Sequence, residues 1–254
     1  MENQWSARSF LFRDEHGLAM PDNPARWEDL KAMGFEAPAK LSRGHHPSLP
    51  YERMAAFMAS LRARGGIAAR ALEFLILTNL RTDAVLKAAW SDFDLEGALW
   101  AVPLTNLKDR KHREEGFRVP LSARAVEIVR EMDEGRLSAY VFPGQVRGAP
   151  LSRMAFLTLV KQMNARDAKW IDPTRGRPTT PHGFRASFRT WAEEVATFPH
   201  AVVEQAMGHQ VGNQVERAYR RTDVLDQRRE LMDAWAAFCE PHEGETVIPL
   251  RPRR

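Results

Sequence analysis

Apolar residues recur at helical spacing in several windows of this chain. Met54, Phe57, Met58 and Leu61 stand at i, i+3, i+4 and i+7, which predicts a helix with one buried face over 51–64. Ser48-Leu49-Pro50 precedes it, with proline early in the helix where its missing N–H does no harm, and Gly65-Gly66 ends it. A denser run, Leu72-Glu73-Phe74-Leu75-Ile76-Leu77, predicts a buried helix that closes on the turn-prone pair Thr78-Asn79 and holds Arg81 rigidly just beyond. The helical period returns over 123–132, 151–165, 183–195, 201–207 and 224–238. Within these windows Met154 with Phe156 and Leu157, and Trp235 with Phe238, are expected in the core. Two stretches break the pattern. Residues 98–103 and 116–120 are short and rich in β-branched and aromatic side chains, which predicts strands, and the polar run 106–113 between them predicts a flexible hairpin loop with Lys108 at its start. The fold class that follows is mainly α with a small antiparallel β-sheet.

Residues 1–46 show neither period. They are polar and punctuated by Met20-Pro21-Asp22-Asn23-Pro24 and Arg43-Gly44-His45-His46-Pro47, so they read as a linker, and the adjacent pair His45-His46 is assigned to that linker rather than to a metal site. At 254 residues and 44% hydrophobic content, the remainder can bury the core of one compact domain. A pI near 9.4 with a net charge of only +4 points to local basic patches, at Lys108 to Arg113, at Arg217 to Arg221 and in a basic tail over 241–254. The single Cys239 excludes an intramolecular disulfide and suits a reducing cytoplasm. No apolar run approaches the ~20 residues of a membrane helix, so a cytoplasmic location is expected.

Of the three tyrosines, Tyr51 opens a helical pattern and Tyr140 precedes the apolar Val141-Phe142, whereas Tyr219 is ringed by Arg217, Arg220 and Arg221. A phenol is a poor nucleophile at neutral pH, but neighbouring cations favour the phenolate and attract a phosphate diester. Two readings stay open on those residues alone: a tyrosine that becomes covalently linked to DNA or RNA, or a ring packed on a core beneath a solvated arginine face. His182-Gly183-Phe184-Arg185 and Met207-Gly208-His209 lie shortly upstream and add the polar groups that attack on a phosphodiester requires. The chain has no Gly-rich phosphate loop ending in Gly-Lys-Ser/Thr, no Cys-x-x-Cys and no His-Glu-x-x-His, so no cofactor and no metal are expected.

Taken in order, Thr78-Asn79-Leu80-Arg81, Leu107-Lys108, His182-Gly183-Phe184-Arg185, Gly208-His209 and Ala218-Tyr219-Arg220-Arg221 resemble the motifs of the tyrosine recombinases, most of all the phage and integrative-element integrases. The resemblance runs from about Leu49 to about Phe238. It implies the tyrosine recombinase (DNA breaking-rejoining) catalytic-domain fold over 49–240 and an active site of Arg81, Lys108, His182, Arg185, His209 and the nucleophile Tyr219. The partner it implies is double-stranded DNA, contacted through Arg110, Lys111, Arg113, Arg217, Arg220 and Arg221. Free in solution the chain is expected to be a monomer, with a tetramer on paired DNA sites. The terminal helix over 224–238 is expected either to pack in its own domain or, as the family implies, to dock on a neighbouring protomer.

Phosphate chemistry together with the resemblance implies the roles. Arg81 and Arg185 grip the nonbridging oxygens with paired donors, Tyr219 attacks phosphorus in line, and Lys108 protonates the leaving oxygen. His182 is the acid–base partner of the tyrosine, and His209 donates a hydrogen bond to phosphate. A 3′-phosphotyrosine and a free 5′-hydroxyl result, which conserves the bond energy so that a second DNA end can reverse the step. Two positions depart from the family pattern: Ala84, preceded by Asp83, stands where an acidic residue is common, and Phe117 stands where a histidine is common, with His112 a candidate substitute. Asn23-Pro24-Ala25-Arg26-Trp27 resembles the segment after the last helix of a core-binding domain, so residues 1–48 are expected to be a linker and the remnant of the end of that domain. The alternatives to an active recombinase are a non-catalytic DNA-binding remnant and a related DNA-relaxing topoisomerase.

Overall fold

The chain is described from a computed structural model, which covers residues 45–108, 110–113, 115–136, 138–165, 169–211 and 224–240. A 3-10 turn at Tyr51–Arg53 leads into helix α1 (Met54–Arg62), which buries the four apolar residues that set its period, Met54, Phe57, Met58 and Leu61. Helix α2 (Ile67–Thr78) is the central element. It buries 9 residues, Glu73 among them, because α1, α3 (Thr82–Leu86), α4 (Ala123–Glu134), α5 (Arg153–Met163) and α8 (Leu225–Phe238) all pack against it. A helix surrounded in this way needs apolar residues all round, and that is how its sequence reads. The exception, Glu73, is fully buried and held by Arg62 at 2.6 Å, Arg124 at 2.9 Å and Arg70 at 3.0 Å. Although burial pushes its carboxyl up, the hydrogen bonds and charges of Arg124 and Arg62 outweigh burial and keep its pKa below the ordinary value.

Strands β1 (Phe93–Asp94), β2 (Leu99–Val102) and β3 (Phe117–Pro120) form an antiparallel sheet in that order, with Trp100 opposite Val119 and Val102 opposite Phe117. The sheet buries Trp100, whose ring stacks on Phe93 at 5.5 Å. The polar run between β2 and β3 contains two 3-10 turns, Leu104–Asn106 and Arg110–His112. A second hairpin pairs β4 (Ile171–Asp172) with β5 (Arg177–Pro178) and leads into α6 (Gly183–Glu194) and α7 (His200–Ala206). That hairpin, β1 and α3 are too short to register as a period and were not expected from sequence.

Helix α8 packs on α7, β3 and α2 of its own chain. Trp235 is fully buried against Trp191 at 5.0 Å and Phe188 at 5.4 Å, and its indole N–H donates to the Ile76 carbonyl. The expectation for α5 needs correcting. Phe156 is fully buried, but Met154 is 62% and Leu157 41% exposed, because α5 turns only its Phe156, Leu159, Val160 and Met163 stripe towards the core. Among the described residues no helix is long and apolar enough to cross a membrane.

Candidate active site

The end of α2 sets the first part of the site. Asn79 adopts a left-handed conformation (φ 54°) as the helix C-cap, a geometry asparagine tolerates better than most residues. The chain therefore turns at once. Leu80 is buried, Arg81 becomes the N-cap of α3, half-buried, and the Asn79 carbonyl points at the guanidinium of Arg185. Among the described residues Arg81 has no ion-pair partner, whereas Asp83 pairs with Arg153 at the start of α5 and Ala84 is buried. The departure noted in the sequence thus leaves Arg81 without a carboxylate partner among the described residues.

The second part comes from α6. Its first residue is Gly183, where an added Cβ would lie 1.9 Å from the Pro47 carbonyl oxygen, so only glycine admits the strap 45–49 across this helix start. The strap is fastened by the Thr180 N–H donating to the Pro47 carbonyl at 3.1 Å and by the Ser48 N–H donating to the Asp172 carboxylate at 3.0 Å. It brings the His46 ring edge-on to the His182 ring, with centroids 4.5 Å apart. His46, read from sequence as linker, therefore lies against a site residue. One turn further along α6 is Arg185, 3% exposed. One terminal nitrogen, Nη1, donates to the Asn79 carbonyl, and Nη2 donates to the Met207 carbonyl at 2.9 Å and meets His209 Nε2 at 2.9 Å.

The third part is the end of α7. Gly208 has φ 70°, its N–H donates to the Gln205 carbonyl and the His209 N–H to the Glu204 carbonyl, which together make a Schellman cap. This fold-back sets His209 beside the last turn of its own helix, with Nδ1 2.8 Å from Glu204 Oε2. The proton placement follows from the partners: a guanidinium can only donate and an ionised carboxylate only accept, so Nε2 accepts from Arg185 and Nδ1–H donates to Glu204. Arginines also cover the helix-end carbonyls, Arg185 on Met207 and Arg113 on Gly208 at 2.8 Å. Arg113 lies over the Phe117 ring at 5.4 Å while the fully buried Arg228 of α8 lies over it at 4.8 Å, so Phe117 is a platform shared by two cations.

The charges act on one another. Burial lowers the pKa of Arg185 to about 10, and Arg81 adds to the effect. His182 is pushed from 6.5 to about 4, first by burial of part of its ring and then by His46, Arg185, Arg81 and Lys108. The residue stays partly open to water, which screens those charges. His209 is lowered too, by burial against the opposing pull of Glu204. Both imidazoles are therefore neutral at pH 7. Lys108, exposed at the start of the β2–β3 connection, is within electrostatic reach of His182.

Of the sequence-derived set, Arg81, Lys108, His182, Arg185 and His209 come together, and Arg110 and Lys111 are exposed on the β2–β3 connection. Tyr219, Arg217, Arg220 and Arg221 lie outside the described residues, as do residues 1–44 and 241–254, and so does the side chain of His112. Sequence reasoning missed His46 and Glu204. Glu204 carried a weak signal, since a glycine just past a helix folds the next residue back onto the last turn; His46 carried none. Among the described residues no group of three His, Cys, Asp or Glu side chains is arranged to hold a metal ion.

A mainly helical domain with a small antiparallel sheet is the fold of the tyrosine recombinases and integrases. The chain belongs to the phage integrase family, whose profile matches residues 50–225. It is 29% identical over 211 residues to the prophage integrase IntZ of Escherichia coli K12, covering 82% of this chain and 49% of that one. The chain thus spans about half the length of the curated relatives it matches. Its fold is similar to the integrase from mycobacterium phage Brujita, with a TM-score of 0.54 and 21% identity over 89% of this chain and 66% of that one. It is similar as well to the Tn1549 transposon integrase solved with transposon right-end DNA, with a TM-score of 0.54 and 18% identity over 86% and 73% of the two chains.

Proposed function

We propose that this chain cuts and rejoins duplex DNA at specific sites by transesterification, with Tyr219 as nucleophile. The observation that carries the reading is the convergence of Arg81, Arg185, His182 and Lys108 from separate segments into one cationic cluster with neutral imidazoles. The Tyr219 oxygen bonds to phosphorus as the bond from phosphorus to the 5′-oxygen breaks. Neutral His182 has a lone pair to take the phenol proton, and Lys108 gives a proton to the departing 5′-oxygen. Arg81 and Arg185 stabilise the charge that builds on the nonbridging oxygens. His209 was expected to donate to phosphate, but its Nδ1–H is taken by Glu204 and its Nε2 accepts from Arg185, so its part is to orient Arg185. Arg110 and Lys111, with Arg217, Arg220 and Arg221, bind the flanking phosphates, whereas Arg113, expected among them, donates to the Gly208 carbonyl and lies over Phe117; the chain is a monomer that assembles as a tetramer only on paired sites.

A second reading, DNA binding without cleavage, draws support from Arg185, whose two terminal nitrogens are already engaged within the protein, and from Arg81, which has no ion pair among the described residues. Incubation with a nicked suicide half-site followed by a denaturing gel separates the two. The first reading expects a shifted covalent band that disappears in Tyr219→Phe while noncovalent binding persists. Binding without any covalent band in the unmodified chain leaves the second.

A further inference from the structure

We propose that His46 is a positioning residue for His182, so that the strap 45–49 is a working part of the cleavage site rather than a tether. The inference rests on the proposed strand-cleavage function and adds a residue to it. Two independent features support it. The rings meet edge-on at 4.5 Å, a geometry aromatic rings favour. The strap is also built against this place and no other, since the Pro47 carbonyl occupies the space that a side chain at position 183 would need and is held there by the Thr180 N–H. Beyond it Leu49 is 1% exposed, and its carbonyl accepts from the Ser187 hydroxyl, so the strap is anchored along its length on the C-terminal side of His46.

A histidine at the start of α6 is otherwise open to water and free to turn. The His46 ring closes one side of it. Around the imidazole stand Arg185 on α6, Arg81 after α2, Lys108 on the β2–β3 connection and His46 on the strap. Three of these four hold permanent positive charge at neutral pH, and His46 is the member whose ring is in contact. The edge-on contact limits the rotation of the His182 ring and, although both residues remain exposed, removes water from that one face of it.

The test uses the full chain with His46→Ala and His46→Phe, the second of which retains a ring. The His182 titration is followed by NMR and single-turnover cleavage is measured on a suicide substrate. In His46→Ala the His182 midpoint should rise by about one pH unit, comparable with the ordinary spread of histidine values in folded proteins. Cleavage should fall about tenfold, part of the ~10²–10⁴ that a positioned acid–base group contributes, with duplex affinity within about twofold. His46→Phe should return both readouts most of the way. An unchanged His182 midpoint in His46→Ala overturns the proposal, as does an equal loss in both variants. The titration reads the proposal even if the unmodified chain fails to cleave, so failure of the cleavage function and failure of the His46 role are told apart.

Discussion

Arg185 ties three segments together through the Asn79 carbonyl, the Met207 carbonyl and His209 Nε2, although it is only 3% exposed. Removing it deletes both the proposed phosphate clamp and the partner of two buried carbonyls, so Arg185→Ala should lower the melting temperature as well as cleavage. Arg81→Ala should affect cleavage alone, since Arg81 has no ion pair among the described residues. Each should slow single-turnover cleavage by at least about a hundredfold, the scale of losing one preorganised donor to a developing oxyanion; a change of only a few fold removes the residue from the clamp. The histidines make a pH prediction. His182 titrates near 4 when folded and near 6.5 in the reference state, and His209 is lowered too. Between those values the unfolded chain binds more protons than the folded one, so stability rises with pH across the window and is lost on acidification. Thermal unfolding of the unmodified chain and of His182→Asn, compared at about pH 5 and about pH 7.5, should show a smaller pH dependence in the variant.

At the scale of elements, the site is assembled from helix ends: the left-handed cap of α2, the glycine start of α6 and the Schellman cap of α7. Gly208→Ala places a Cβ at φ 70°, which should cost about 1–2 kcal/mol and lower Tm by roughly 2–8 °C. Gly183→Ala should be worse, because its Cβ would meet backbone at 1.9 Å and the strap must lift away. Calorimetry on the two variants checks the order, and a milder effect from Gly183→Ala would mean that the strap is loosely seated. Away from the site, Glu73→Ala should leave Arg62, Arg70 and Arg124 facing one another at a buried position, with a loss of about 3–5 kcal/mol by analogy with broken buried ion pairs.

For the whole molecule, a net charge of +4 is modest for a partner as anionic as DNA. Sequence-independent affinity depends on how many phosphates a protein neutralises, so this chain alone should bind duplex with a Kd of about 10⁻⁴ to 10⁻⁶ M near physiological salt and lose that binding steeply as salt rises. Fluorescence anisotropy across a salt series measures this. Nanomolar, sequence-selective binding by the 254-residue chain would show that it carries a larger recognition surface than its charge suggests.

Periodicity located α1, α2, α4, α5, α6, α7 and α8 to within a few residues, because each carries enough apolar positions to reveal a buried face, and β-branched and aromatic composition located the β2–β3 pair. The candidate residues Arg81, Lys108, His182, Arg185 and His209 were legible through the resemblance of their motifs to those of the integrases. What the sequence could not decide depends on contacts between residues distant in the chain. Met154 and Leu157 follow the same helical period as buried neighbours, yet they face solvent because no element packs over them. His46 looks like any loop histidine until the Pro47 carbonyl meets Gly183 across 136 positions of chain. The hydrogen-bond roles of His209 were set by Arg185 and Glu204, since an imidazole accepts at one nitrogen and donates at the other only once its partners are in place. Local pattern encodes which face of a helix is apolar; which side chain completes a site is encoded only in the packing of one element on another.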